Sequence, residues 1–233
     1  VSIMSIIVRK SFIPYSTESL YLDFEDPTAV ITDKSAGGNN SWTNVAGSSV
    51  LDTNLFKSGL RSLNGGSRRI KHSLTTALSL GTNPFTIQFW LYPKSSQPAQ
   101  ANGYVPILGG SVYSSGVLFY RPSGTSPANC VQWYQPNYIT QTNLGLTLDT
   151  WTHIRLVKHT NGYCYIFMNG INRTASASLS PINLTTAWTT NGFHVFAEPG
   201  ASRYCIGNID CLQIIKQSLG VSNFTPTDRA GII

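Results

Sequence analysis

Hydrophobic and polar residues alternate with a period of two along most of this chain. Phe85, Ile87, Phe89 and Leu91 interleave with Thr86, Gln88, Trp90 and Tyr92, and Pro93 closes the run. Successive side chains of a strand point to opposite faces, so this spacing predicts a half-buried β-strand over 84–93. Shorter runs follow at Leu20–Phe24, Leu60–Asn64, Val105–Leu108, Val117–Tyr120 and Val131–Tyr134. Trp151–Lys158 alternates well, and Asn161-Gly162 then predicts a hairpin into Tyr163–Met168, with a second turn at Asn169-Gly170. The stretch from Trp151 to Thr174 is therefore expected to be a three-strand meander. Strand-length runs recur about every ten residues with no helical periodicity, which predicts an all-β antiparallel β-sandwich.

Residues 1–16 break the pattern. Ile6, Ile7 and Val8 precede Arg9 and Lys10, and Pro14 follows. They are expected to form a short N-terminal arm ahead of one domain spanning 17–233. An arm with exposed Ile and Val needs a surface to lie on, either a neighbouring subunit or its own domain. The apolar run precedes the basic pair, the reverse of a signal peptide, and no apolar run is long enough to span a bilayer. No membrane partner is expected.

The chain has 233 residues, 41% of them hydrophobic, enough for a sizeable core. Only 11% are charged, against about 25% in ordinary globular proteins. The net charge is +6, with one basic cluster at Arg68, Arg69 and Lys71, beside His72. Alternation would split this cluster between two faces. Its residues are expected on an edge strand, where charge blocks edge-to-edge pairing, or against an acidic partner. No recognition-helix pattern or concentrated basic stripe is present, so nucleic acid is not expected as a partner. Cys130, Cys164, Cys205 and Cys211 lack metal-ligand spacing, and three of them fall in strand-like runs, as buried thiols do.

Four phrases in order carry a family resemblance: Phe85–Pro93, Trp151–Leu156, Tyr165–Gly170 and Ile206–Asp210. Together they resemble the laminin-G-like branch of the concanavalin A-like jelly rolls, from about residue 20 to 226. The resemblance implies a jelly-roll sandwich, whose family members bind glycans, proteins or calcium, with some related folds hydrolysing polysaccharides. The ending Asn223-Phe224-Thr225-Pro226 resembles the exit of such domains in tailed-phage virion proteins. It implies a non-enzymatic structural protein on the virion surface, as a capsid decoration or tail-surface protein. Such a protein would act by subunit contacts, as a homo-oligomer or attached to a capsid or tail subunit, through Ile6, Ile7, Val8, Arg9, Arg68, Arg69 and Lys71. The alternative is a carbohydrate-binding adhesin module that recognises host glycans. A polysaccharide hydrolase is a remote third.

The residues weigh against hydrolysis. A glycosidase needs two carboxylates held about 5–9 Å apart. The three glutamates, Glu18, Glu25 and Glu198, form no Glu-x-Asp-x-x-Glu pattern, and no Gly-x-Ser-x-Gly occurs. No cofactor is expected. Calcium is the one ion with candidate ligands, Asp23 or Asp26 with Asn208 or Asp210, if first and last strands lie side by side. The family's common second Asp after Asp210 is replaced by Cys211, which removes acidic character there. For a glycan, exposed aromatic faces are wanted, and Trp42, Tyr104, Tyr113, Tyr138 and Trp188 lie in loops or at strand ends. Trp90, Trp133 and Trp151 lie in strands and are expected in the core.

Overall fold

A computed structural model describes residues 18–26, 31–35, 42–46, 50–65, 69–72, 80–99, 103–109, 117–122, 127–135, 138–175, 193–197 and 203–226. The arm, with Ile6, Ile7, Val8 and Arg9, lies outside these residues, as do Arg68, Tyr113 and Trp188.

The described strands are β1 (Glu18–Leu22), β2 (Trp42–Ala46), β3 (Val50–Asp52), β4 (Ser62–Asn64), β5 (Arg69–His72), β6 (Phe85–Pro93), β7 (Val105–Gly109) and β8 (Val117–Arg121). They continue as β9 (Cys130–Gln135), β10 (Tyr138–Gly145), β11 (Thr152–Lys158), β12 (Cys164–Met168), β13 (Ile171–Asn172), β14 (Phe193–Val195) and β15 (Gly207–Ile215). They form two antiparallel sheets. One has eight strands, ordered β13-β12-β11-β6-β15-β4-β3, with β1 also paired to β15. The other has seven, ordered β10-β9-β8-β7-β14-β5-β2.

The alternation places the core where it is expected. Phe85, Ile87, Phe89 and Leu91 of β6 face inward with Ile154 and Leu156 of β11 and Ile209, Leu212 and Ile214 of β15. From the other sheet come Ile70, Val105, Leu118, Tyr120, Val131, Trp133, Phe193 and Val195. Each such large apolar side chain taken fully from water stabilises the sandwich by roughly 1.5–3 kcal/mol. All four cysteines are buried as thiols.

The meander β11-β12-β13 forms as expected, and its two turns differ in kind. Met168 pairs with Ile171, so Asn169 and Gly170 alone make a two-residue turn, both at positive φ (50° and 79°). At Asn161-Gly162 only Gly162 has positive φ (86°). There the loop is longer: the His159 amide donates to Tyr163 O, and Asn161 Oδ1 accepts from the Tyr163 amide.

Two expectations are corrected. Strand β5 is not a sheet edge, because β14 pairs on one side and β2 on the other. Alternation does split its cluster: Ile70 and His72 are buried inward, while Arg69 and Lys71 stay half-buried on the outer face. Trp133 is in the core, but Trp90 and Trp151 belong to a separate cluster with Tyr21 and Cys211 on the outer side of the eight-stranded sheet. A bulge in β15 explains Cys211. Cys211 has φ 52°, and the register to β6 shifts between Asp210 and Gln213. One extra residue lets Asp210 and Cys211 both face outward while Ile209 and Leu212 stay in the core.

Candidate functional site

A sandwich offers its two outer faces as binding surfaces, and here they are built differently. That of the eight-stranded sheet is closed by its own chain. Residues 53–61, between β3 and β4, fold onto the ends of β1 and β15 through carboxylates. Asp210 Oδ2 accepts the Lys57 and Ser58 amides (3.0 and 2.9 Å), and Glu25 accepts those of Leu60 and Arg61 (2.9–3.1 Å). Asp52 Oδ1 accepts the Asn54 and Leu55 amides, while its Oδ2 accepts Asn64 Nδ2 and Asn208 Nδ2. Burial pushes the Asp210 carboxyl up to about 7, against the opposing pull of the Ser58 and Lys57 amides and the Cys211 thiol.

The first and last strands do lie side by side, but the acids considered for calcium serve other partners. Asp26 Oδ2 accepts from Thr32 Oγ1 (3.0 Å), Asp23 Oδ1 from the Glu25 amide (3.2 Å), and Asp210 holds the loop. Among the described residues no three His, Cys, Asp or Glu side chains gather as a metal-ligating group.

The other half of this face is covered by the chain after β15. Thr86 Oγ1 donates to Gln217 O (2.8 Å) and accepts the Leu219 amide (3.1 Å). Farther along, the Phe224 amide donates to Gly170 O (2.9 Å) and Asn223 Oδ1 accepts the Asn172 amide (2.9 Å). The Phe224 ring lies 3.4 Å from Arg155 Cζ and packs against His153 and Phe167 at 5.6 and 5.7 Å between ring centroids. Beneath it Arg155 Nε donates to Gln88 Oε1 (2.7 Å), and Gln88 Nε2 to Gln213 Oε1 (2.6 Å). Thus Asn-Phe-Thr-Pro acts as a strap across the sheet. Replacing Phe224 by Ala removes a half-buried aromatic ring and its cation–π contact, and is expected to lower unfolding free energy by about 2 kcal/mol in urea titration. A change under about 0.5 kcal/mol would show that the strap does not hold the sheet.

The outer face of the seven-stranded sheet has another chemistry. Inward Val131 and Trp133 alternate with outward Gln132 and Tyr134, and inward Leu118 and Tyr120 with outward Phe119. Tyr104, just before β7, packs on Phe119 at 5.0 Å between centroids, and half-buried Tyr134 joins them. Arg203 lies over the Tyr104 ring, its Cζ 4.2 Å from the centroid. Next to Phe119 in register, Gln132 donates from Nε2 to Gln141 Oε1 (2.9 Å). Gln132 is 3% exposed, yet its Oε1 has no hydrogen-bond partner. With Tyr104 and Phe119 buried beneath it, Tyr134 is the ring of this cluster open to stacking, and the amides and guanidinium around it can exchange hydrogen bonds with hydroxyls.

Of the residues singled out for glycan contact, Tyr104 belongs to this cluster but is 6% exposed, with both Phe119 and Arg203 against its ring. Trp42 lies at the other end of the sheet and turns inward, edge-on to His72 (5.2 Å) and Phe193 (6.4 Å). Tyr138 starts β10, and its side chain is outside the described set. Phe119, Gln132, Tyr134, Gln141 and Arg203 were not singled out. Alternation in β8 and β9 is the signal that separates them from Leu118, Tyr120, Val131 and Trp133.

No catalytic constellation forms among the described residues. Glu25, Asp52 and Asp210 are engaged as backbone and amide acceptors, and Asp149 accepts the Ser95 amide. His153 is fully buried; burial and the Arg155 charge push it down to about 3. It is neutral at ordinary pH, and neither ring nitrogen has a hydrogen-bond partner.

Two antiparallel sheets packed over one core, with the first strand β1 paired to the central last strand β15, define a jelly-roll sandwich of the lectin type. The chain belongs to the concanavalin A-like lectin/glucanase superfamily, whose family model it matches over residues 64–223. Among solved structures it is similar to domain 4 of AbnA, an extracellular GH43 arabinanase of Geobacillus stearothermophilus, determined with arabinotriose. That match has a TM-score of 0.66 at 14% identity and covers 88% of this chain and 94% of the other. It is also similar to the binding domain of botulinum neurotoxin DC in complex with SialylT (TM-score 0.59, 12% identity, 88% and 49% covered). A third is the ligand-binding domain of botulinum neurotoxin serotype D with N-acetylneuraminic acid (0.59, 13%, 88% and 48%). The chain spans about half the length of those toxin domains. No curated protein matches its sequence.

Proposed function

We propose that the domain is a carbohydrate-binding module whose sugar surface is the outer face of the seven-stranded sheet. The observation that carries this reading is the Tyr104–Phe119–Tyr134 cluster beside Gln132, whose buried Oε1 has no partner. A buried carbonyl oxygen without a donor costs about 1–3 kcal/mol, and a sugar hydroxyl supplies one. Half-buried Tyr134 offers ring surface for stacking, and Gln141 and Arg203 add polar contacts at the rim. Similar folds determined with arabinotriose or a sialic acid support the choice of ligand class.

Glycan-array screening of the full chain, followed by calorimetric titration, tests the reading. Tyr134→Ala is expected to weaken the best ligand at least tenfold without lowering the melting temperature by more than a few degrees. Absence of binding across neutral and acidic glycans at high protein concentration would reject it. A place on a tailed-phage virion rests on the Asn223–Pro226 ending, and loss of incorporation into purified particles on deleting residues 1–16 is its test.

A further inference from the structure

Charge is divided between the two sheets. The seven strands β2, β5, β7, β8, β9, β10 and β14 contain no Asp or Glu, but they carry Arg69, Lys71 and Arg121. The chain has ten acidic residues. Eight are described, and all lie in the eight-stranded sheet or in segments leading from it: Glu18, Asp23, Glu25, Asp26, Asp33, Asp52, Asp149 and Asp210. Glu198 and Asp228 are outside the described residues.

The cations share the face of the aromatic cluster. Lys71 pairs in register with His194, whose neighbours Phe193 and Val195 point into the core, so both face outward; Arg69 alternates with inward Ile70 to the same side. Arg121 follows inward Tyr120 and pairs with Cys130, two residues along from Phe119. Arg203 lies over Tyr104. Among the described residues no carboxylate pairs with Lys71 or Arg121, and Arg121 Nε is buried without a hydrogen-bond partner. Cations gathered on a face whose described strands hold no carboxylate make a positive potential that favours an anionic ligand over a neutral one.

We propose that this face selects acidic glycans, whose sugars carry carboxylate or sulfate groups. The inference rests on the carbohydrate-binding reading above and adds the charge of the ligand. Two complementary demands set the class. Gln132 Oε1 needs a hydroxyl donor, whereas Lys71 and Arg121 need anionic acceptors, the latter through a planar fork suited to a carboxylate. Arg121 stands beside the Phe119–Gln132 pair, so one acidic sugar presents a hydroxyl to Gln132, an anion to Arg121 and a ring face to Tyr134, while Lys71, four strands from Gln132 and so about 19 Å away, meets a further residue of an oligosaccharide. A DNA strand presents phosphates and base faces but lacks a comparable density of hydroxyl donors, so a glycan fits the set better.

Titration of the full chain with two matched pairs tests the proposal: oligogalacturonate against its methyl ester, and a sialylated oligosaccharide against the same compound without sialic acid. At least one acidic member is expected to bind ten times or more tighter than its neutral twin, and to weaken several-fold between 50 and 300 mM salt (about 14 to 6 Å screening length). Lys71→Ala and Arg121→Ala should each reduce that affinity at least fivefold, while Lys34→Ala, an equal charge change at an exposed site beside the other sheet, should leave it within twofold. Equal affinity for both members of each pair would overturn the proposal and leave the carbohydrate reading intact. Tighter binding of a single-stranded oligonucleotide of matched charge would overturn it in favour of nucleic acid. Failure of every glycan to bind would remove it together with the reading it rests on.

Discussion

Gly207→Ala is expected to cost the domain about 3 kcal/mol, the upper end of what inserting one methyl into a packed interior does. Gly207 opens β15 and lies opposite Pro93 of β6, and its carbonyl accepts the Gly65 amide at 2.7 Å. A Cβ built on it would stand 2.4 Å from Tyr92 O and 3.3 Å from Pro93 Cα. Those neighbours are backbone atoms of the sheet's longest strand pair, so no side-chain rotation relieves the contact. Carbon–oxygen contacts between adjacent strands settle at about 3.3–3.6 Å, so β15 must move away from β6 by roughly 1 Å at this end. That movement stretches the pairing of Gly207 and Asn208 with Pro93 and Tyr92 and disturbs the Gly65 bond. Urea unfolding followed by tryptophan fluorescence measures the cost. A loss below about 0.5 kcal/mol would mean that the two strands are not in this close contact.

The same stretch shows how much could be read beforehand. Ile206–Asp210 marked the family, and the period-two runs placed the core of β6 and β11, whereas the bulge after Asp210 breaks the alternation in β15. What alternation cannot show is whether the second face of a strand meets water. Thr86 and Gln88 alternate with the core residues of β6 as a polar side, yet both are buried, as are Trp90 and Arg155 on the same outer face. Their covers come from residues 53–61 and 216–226, more than a hundred positions from several of their contacts, such as Gln217 to Thr86 and Lys57 to Asp210. The basic cluster failed as an edge for a related reason. Nothing within Arg69–His72 indicates that β2 and β14 arrive from both sides. For the proposed sugar surface, loop aromatics were the natural candidates because they punctuate the sequence. The described cluster instead uses Phe119 and Tyr134 inside strands, where an outward aromatic beside inward Tyr120 or Trp133 is concealed by its neighbours. Phe224, first a mark of biological setting, acquires a physical role in holding the sheet.

Asp210→Asn is expected to expose a pH dependence that the native chain conceals. His153 in the folded state is pushed down to about 3 by burial and then by the Arg155 charge, against 6.5 for an ordinary histidine. As pH falls below 6.5 the unfolded chain takes up this proton and the folded chain does not. Stability therefore declines by about 1.4 kcal/mol per pH unit until the folded value is reached. Asp210 acts in the opposite sense. Burial raises it to about 7 when folded, against 3.8 ordinarily, so between pH 7 and 3.8 the folded chain holds a proton that the unfolded chain lacks. Its contribution is present below 3.8, shrinks as pH rises, and is gone above 7, with the same slope and contrary sign. From pH 6.5 to 4.5 the two effects offset, and the native stability is expected to be nearly flat. The Asp52 and Asp149 carboxyls are held low, so their contributions are lost only as pH drops through and below about 4, outside this window. Asparagine at 210 retains a carbonyl for the Lys57 and Ser58 amides but cannot take up the proton. That variant should then lose about 3 kcal/mol between pH 6.5 and 4.5, while His153→Met should gain a similar amount over the same interval. Urea titrations at half-unit pH steps read both profiles. If Asp210→Asn merely displaced the native curve in parallel, the carboxyl would not be titrating in this range and the compensation would not exist.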